Sequence, residues 1–206
     1  LPIETDEITD KIQVFRTPLI KSINLSKTLG IKNLFFKDDT KLPSGSLKDR
    51  ASSVVVTYGL QNKKDTIVTA STGNAGCALA CIGAMVGIKP IIYVPENAPV
   101  NKVVQMAIYG AKIYKVIGNY DDCYDLLLKI CSENKNFFNR STGVNPFTRE
   151  GKKTVSLEIW EQLGYKIPEI IFVPIGDGNI ISGVWKGFKD LFDVGLIEKL
   201  PKLVGV

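Results

Sequence analysis

The chain contains no histidine in its 206 residues. That absence excludes, within these residues, Ser-His-Asp and Cys-His nucleophile pairs and histidine-based zinc sites. Enzyme chemistry would then have to run on lysine, carboxylates or a cofactor. Cysteine is scarce. Cys77, Cys81, Cys123 and Cys131 lie in apolar or helix-like surroundings without paired-knuckle spacing, so they read as reduced packing residues and no metal site is expected. No window is apolar and long enough to span a bilayer, and no secretory leader is visible. The expectation is a soluble, cytoplasmic protein with no membrane partner. A strong charge of one sign is also lacking. The net charge is +5, the lysines are scattered, and no basic run is interleaved with aromatics. Nucleic acid is therefore not an expected partner.

Apolar residues make up 45% of the chain, enough for a packed core. Short apolar segments read as strands at 33–37, 65–69, 90–94, 112–116 and 169–173, with Phe137-Phe138 a further candidate. Helical patterns cover 22–29, 46–62, 75–86, 100–109, 120–133, 152–163 and 180–193, several closed by glycine. Residues 143–151 read as a loop rich in turn formers. The alternation predicts an α/β fold with parallel sheet. Leu1 is not a start methionine, and Lys202–Val206 looks like the opening of a buried strand. The expectation is a fragment of a longer chain.

Three loops carry the chemistry. The first is Pro43-Ser44-Gly45-Ser46-Leu47-Lys48-Asp49-Arg50, a loop running into a helix with Lys48 in the first turn. Backbone and apolar chain on both sides favour the neutral amine, which is a nucleophile for carbonyls. The same residues fit a capping box, Ser46 with Asp49, around a solvated lysine. The second is Ala70-Ser71-Thr72-Gly73-Asn74, a strand-to-helix turn whose free amides suit a carboxylate or phosphate; those side chains equally serve as helix caps. The third is Gly176-Asp177-Gly178-Asn179-Ile180, again between strand and helix, where glycine lets backbone amides approach a phosphate. Position 181 is isoleucine, so the dinucleotide fingerprint is incomplete, and the phosphate-loop lysine signature is missing.

With these loops stand Thr17-Pro18-Leu19, Lys37-Asp38-Asp39, Glu150-Gly151-Lys152-Lys153-Thr154 and Trp185-Lys186-Gly187-Phe188. In this order and spacing the chain resembles the fold-type II pyridoxal-phosphate enzymes, and within them the threonine synthases. The resemblance implies a fold like that of the tryptophan synthase β chain, with parallel sheets and a smaller domain inserted in a larger one. The larger domain would comprise 1–62 and 143–206 and lack its C-terminal part; the insert would be 63–142. Lys48 would be the catalytic lysine that joins the cofactor and moves protons. Asn74 and Gly176, Asp177, Gly178, Asn179 and Ile180 would hold pyridoxal 5'-phosphate. Ser71, Thr72 and Gly73 would hold the substrate carboxylate, and Thr148 and Arg149 would lie at the substrate phosphate. The implied reaction takes O-phospho-L-homoserine and water to L-threonine and phosphate by γ-elimination and β-addition, in a homodimer acting on a small amino acid.

Three positions depart from that pattern. Asp177 and Asn179 stand where a Gly-Asn-Gly-Gly-Asn loop is typical. Thr148 occupies the place of the substrate-phosphate arginine, with Arg149 one residue later; either Arg149 reaches by another path, Arg140 substitutes, or the substrate is not O-phosphohomoserine. The partner of the pyridine nitrogen would lie beyond Val206. Two other readings therefore stand: a same-fold enzyme on another amino acid, such as cysteate synthase or a threonine/serine dehydratase, and a non-catalytic module that binds a phosphorylated ligand.

Overall fold

The strand Thr66-Ile67-Val68-Thr69-Ala70 sits at the centre of the architecture because both of its faces are apolar. The computed structural model describes residues 1–14 and 16–206. In chain order the elements are α1 Glu7–Lys11, β1 Leu19–Lys21, α2 Ile23–Leu29, β2 Phe35–Lys37, α3 Lys48–Gln61, β3 Thr66–Ala70, α4 Asn74–Val86, β4 Ile91–Pro95, α5 Val100–Ile108, β5 Lys112–Val116, α6 Tyr120–Glu133, β6 Phe137–Asn139, α7 Phe147–Lys152, α8 Thr154–Gln162, β7 Ile170–Val173, α9 Asn179–Asp193 and β8 Lys202–Gly205. A 3-10 turn covers Asp39–Lys41.

A four-stranded parallel sheet has the order β5-β4-β3-β6. Ile67 packs with Val55, Val56, Leu79 and Ile82, from α3 and α4. Val68 and Ala70 point the other way, to Cys123 and Leu127 of α6. Ile92 and Val94 of β4 meet Cys77, Ala80 and Met106. Each Val, Leu, Ile or Met side chain so buried contributes roughly 1.5–3 kcal/mol. Helix α4 is rich in small residues because it lies close to its neighbours: a Cβ on Gly83 would meet the Pro90 ring at 2.7 Å. Two smaller sheets complete the architecture, antiparallel β1-β2 and parallel β7-β8. This is α/β with parallel sheets, as the alternation predicts. No helix among the described residues is long and apolar enough to cross a membrane.

The strand order reverses at β3: β4 and β5 extend to one side and β6 returns to the other. In an open parallel sheet a ligand crevice lies outside the strands' carboxyl ends at such a point. Here that place is lined by Ser71, after β3, and Arg140, after β6, whose amide donates to Val68 O at 2.7 Å.

Two local expectations are corrected. Residues 147–152 are helix α7, not loop. Asn145 Oδ1 accepts from the Phe147 amide at 2.9 Å, and Pro146 tolerates a helix start, so Asn145-Pro146 is a helix signal that reads like a turn signal. The Ser46–Asp49 capping box does not form. Leu47 occupies the N-cap, and the Asp49 carboxylate accepts instead from the Ser44 amide, at 2.7 Å, and the Ser44 hydroxyl.

Candidate active site

Lys48 is the first residue of α3, half-buried, in a loop fixed from several sides. Asp49 ties the helix start back to Ser44. Gly45 supplies a φ of +79°, a left-handed turn that a β-carbon resists. Gln105 of α5 donates to Ser44 O at 3.5 Å. Two residues further on, Arg50 is 1% exposed and locks the base of the loop. Its guanidinium donates to Asp39 Oδ2 and Oδ1, both at 2.9 Å, to Thr17 Oγ1 and Thr154 Oγ1, both at 3.0 Å, and to the Glu158 carboxylate. Lys37 Nζ joins the same cluster through Thr17 O and Gln162 Oε1, both at 2.7 Å, and Glu158. The motif residues Thr17, Lys37, Asp39, Arg50 and Thr154 thus form a structural clamp.

Burial pushes the pKa of Lys48 below the ordinary lysine value. Asp177 pulls it back up and Arg140 pushes it further down. This coupling puts the Asp177 carboxylate of the Gly176–Ile180 loop within charge reach of Lys48. In that loop Gly178 has φ +74° and caps the N-terminus of α9. Asp177 Oδ1 accepts from the Asn179 amide at 3.0 Å, which places its carboxylate at the helix start. Tyr120, at the start of α6, also senses Asp177.

Two buried cations share this charge network: Arg140, which the sequence offers only as a substitute for Arg149, and Lys152, to which it assigns no role. Arg140 is fully buried; it donates to Ser52 Oγ at 3.1 Å, Thr142 Oγ1 at 3.3 Å and Lys48 O at 3.5 Å. Lys152 is 1% exposed and donates to Asn179 Oδ1. Burial, aided by Arg140, pushes the Lys152 pKa down to about 7; Asp177 opposes this, and Lys48 and Arg149 add to it. Neither Arg140 nor Lys152 takes part in an ion pair among the described residues. In sequence Lys152 looks like one of two adjacent helix lysines. The signal that separates them is helical position: Lys153 faces out to Glu150 at 2.6 Å and Asp190 at 2.7 Å.

The remaining predicted residues divide. Ser71 is buried, and its Oγ accepts from the amides of Gly73, at 3.3 Å, and Gly76, at 3.1 Å. It caps α4, leaving the amides of the first turn between them for a carboxylate. Thr72 and Gly73 complete that turn and are half-buried. Asn74 is exposed, and its Oδ1 accepts from Lys102 Nζ at 2.8 Å. Thr148 is fully buried with its hydroxyl donating to Asn145 O at 2.8 Å. Arg149 is exposed, close enough for its charge to act on Lys152. The cysteines are all free; three are buried, Cys131 is half-buried, and burial pushes each thiol up.

Fold and site together define a class: an α/β core in which a half-buried lysine with a lowered pKa lies within charge reach of a carboxylate at a helix start, beside two buried cations. Comparison with known proteins gives the class its family. The chain belongs to the pyridoxal-phosphate-dependent enzymes, whose family model matches residues 11–206. It is 38% identical to the threonine synthases of Methanosarcina acetivorans and Methanocaldococcus jannaschii and 34% identical to that of Mycobacterium bovis, in each case over the whole of this chain and 50%, 51% and 56% of theirs. The chain spans about half the length of these curated relatives. Among solved structures, maize serine racemase superposes with a TM-score of 0.79 at 26% identity, over 100% of this chain and 61% of that one. A pyridoxal 5'-phosphate-dependent aspartate racemase superposes with a TM-score of 0.80 over 97% and 60%; at 24% identity it speaks for the fold. The fold is type II, and the cofactor of the family is pyridoxal phosphate.

The residues present fit that cofactor. An amine with a lowered pKa meets the need for an aldehyde partner. A helix start and two buried cations outside any ion pair suit an anionic phosphate.

Proposed function

We propose that the protein is a pyridoxal-phosphate-dependent threonine synthase that converts O-phospho-L-homoserine and water to L-threonine and phosphate. The observation that carries this reading is Lys48, half-buried with a lowered pKa, coupled to Asp177 at the start of α9. The match to threonine synthases over the whole of this chain supports the choice within the family.

The cofactor, when bound, takes up the charge left on carbon as protons depart, which no side chain can do. In this reading Lys48 holds the cofactor through its Nζ. Freed by substrate, the same nitrogen takes a proton from the carbon beside the substrate amine and later returns one. Burial keeps Lys48 neutral over more of the pH range than an exposed lysine. The amides at Ser71–Asn74 would receive the substrate carboxylate. The α9 start would receive the cofactor phosphate, with Asp177 yielding the Asn179 amide. Arg149, exposed and within charge reach of Lys152, would be the arginine that meets the substrate phosphate.

Thr148 favours a second reading. Its hydroxyl is committed to Asn145 O, so it offers nothing to a substrate phosphate, and a same-fold enzyme on another amino acid, such as O-phosphoserine or threonine, would not need it. Full-length protein should release phosphate from O-phosphohomoserine and none from O-phosphoserine; the reverse pattern selects the second reading. Borohydride treatment should fix the cofactor on the Lys48 peptide, read by mass spectrometry; a colourless protein without that adduct would leave a phospho-ligand binding module. We also propose that residues 63–142 form an inserted smaller domain, that the enzyme works in the cytoplasm, and that it is a homodimer, which light scattering on the full-length protein tests.

A further inference from the structure

We propose that Lys152 is the counter-cation of the cofactor's phosphate group. The inference rests on the reading that the cofactor lies between Lys48 and the Gly176–Ile180 loop.

Lys152 is the last residue of α7, and its side chain runs inward under the first turn of α9. Gly183 makes room for it: a Cβ there would stand 2.7 Å from the Lys152 Cβ. The ammonium ends at Asn179 Oδ1, on the first residue of α9. Among the described residues that is the one hydrogen bond it makes, out of three it can donate. A buried ammonium without a carboxylate is costly to hold, and the cost falls when an anion arrives. The helix start that Asn179 opens is where backbone amides and dipole favour phosphate.

Asp177 makes a cation necessary. Its carboxylate occupies the Asn179 amide and brings negative charge to the place a phosphate would take. The helix dipole, about half a unit charge, cannot offset both a carboxylate and a phosphate dianion. Lys152 supplies the missing positive charge. Arg140 is the other buried cation outside the ion pairs among the described residues; its charge also reaches Asp177, but its hydrogen bonds go to Ser52, Thr142 and Lys48 O, whereas Lys152 alone of the two donates to the first residue of α9.

The test compares two ligands that differ only in the phosphate. Full-length protein, stripped of cofactor, is titrated with pyridoxal phosphate and with pyridoxal, reading absorbance and fluorescence. In Lys152→Met the affinity for pyridoxal phosphate should fall about ten- to a hundredfold, the loss of one charge-assisted hydrogen bond, while pyridoxal is unchanged. Lys152→Arg should keep most of the preference. An equal loss for both ligands, or no loss for either, overturns the proposal. If Lys152→Met fails to fold, the wild-type protein still decides. Its preference for pyridoxal phosphate over pyridoxal should decline as pH rises from about 7 to 9, where the phosphate is already a dianion and Lys152, faced by Asp177, Arg140, Lys48 and Arg149, loses its proton. A preference constant over that range overturns the proposal. Attachment at Lys48 is common to both ligands and divides out of the ratio. If pyridoxal itself fails to bind, the Lys48 reading fails; if pyridoxal binds but the phosphate gives no Lys152-dependent gain, only the counter-cation fails.

Discussion

Arg50 and Arg140 are both buried, and the fold treats them in opposite ways. Arg50 is saturated by Asp39 and Glu158, whose charges hold its pKa above the ordinary value against the cost of burial. Arg140 has no carboxylate within ion-pair distance among the described residues, and burial pushes it down to about 10. The first arrangement is structural; the second is poised for an anion. Asp177 governs the free cations, since its charge opposes the lowering of both Lys48 and Lys152. Asp177→Asn should therefore lower the pKa of Lys48. The pH profile for attachment of pyridoxal to full-length protein should shift toward lower pH, read from absorbance.

At the scale of elements, α3 carries the lysine and is held by α7 and α8. Gly151 of α7 touches α3 so closely that a Cβ there would lie 2.0 Å from Arg50 O. Gly151→Ala should cost at least about 3 kcal/mol, because neither backbone can yield. Gly45→Ala has open space and only its φ of +79° to resist it, so about 1 kcal/mol is expected. Denaturant midpoints of the two full-length variants test the contrast. Glu158 clamps α8 to α3. Burial works against its carboxylate, but hydrogen bonds from Arg50 and Lys37 outweigh it and hold its pKa below 4.5. A depressed carboxylate stabilises the fold above its unfolded pKa, and that stability is lost as pH falls below about 4.5. Glu158→Gln should cost roughly 2–3 kcal/mol at neutral pH and flatten the acid limb of the stability curve.

At the scale of the molecule, the cleft is built from three distant parts of the chain: the start of α3, the residues after β6 and the start of α9. A ligand touching all three couples them. Loading full-length protein with pyridoxal phosphate should slow amide exchange at 46–50, 140–145 and 176–182 together, leaving β5, at the far edge of the sheet, unchanged. Protection confined to one of these segments would show that they do not share a ligand.

The strands and helices were legible in the sequence because their apolar periods and glycine stops are local properties, and β3 through β6 fall where those patterns put them. Lys48 and the Gly176–Ile180 loop were legible for a related reason: each is a loop between strand and helix, and a helix start exposes its amides whatever surrounds it. Helix α7 was missed because Asn-Pro serves turns and helix starts alike, and a short helix has no period to detect. Lys152 was given no role, and Arg140 only that of a substitute for Arg149, because nothing local distinguishes a buried cation from a surface one. Their roles follow from which side chains lie across from them, and those come from residues tens of positions away, brought close only when the sheet and its helices pack.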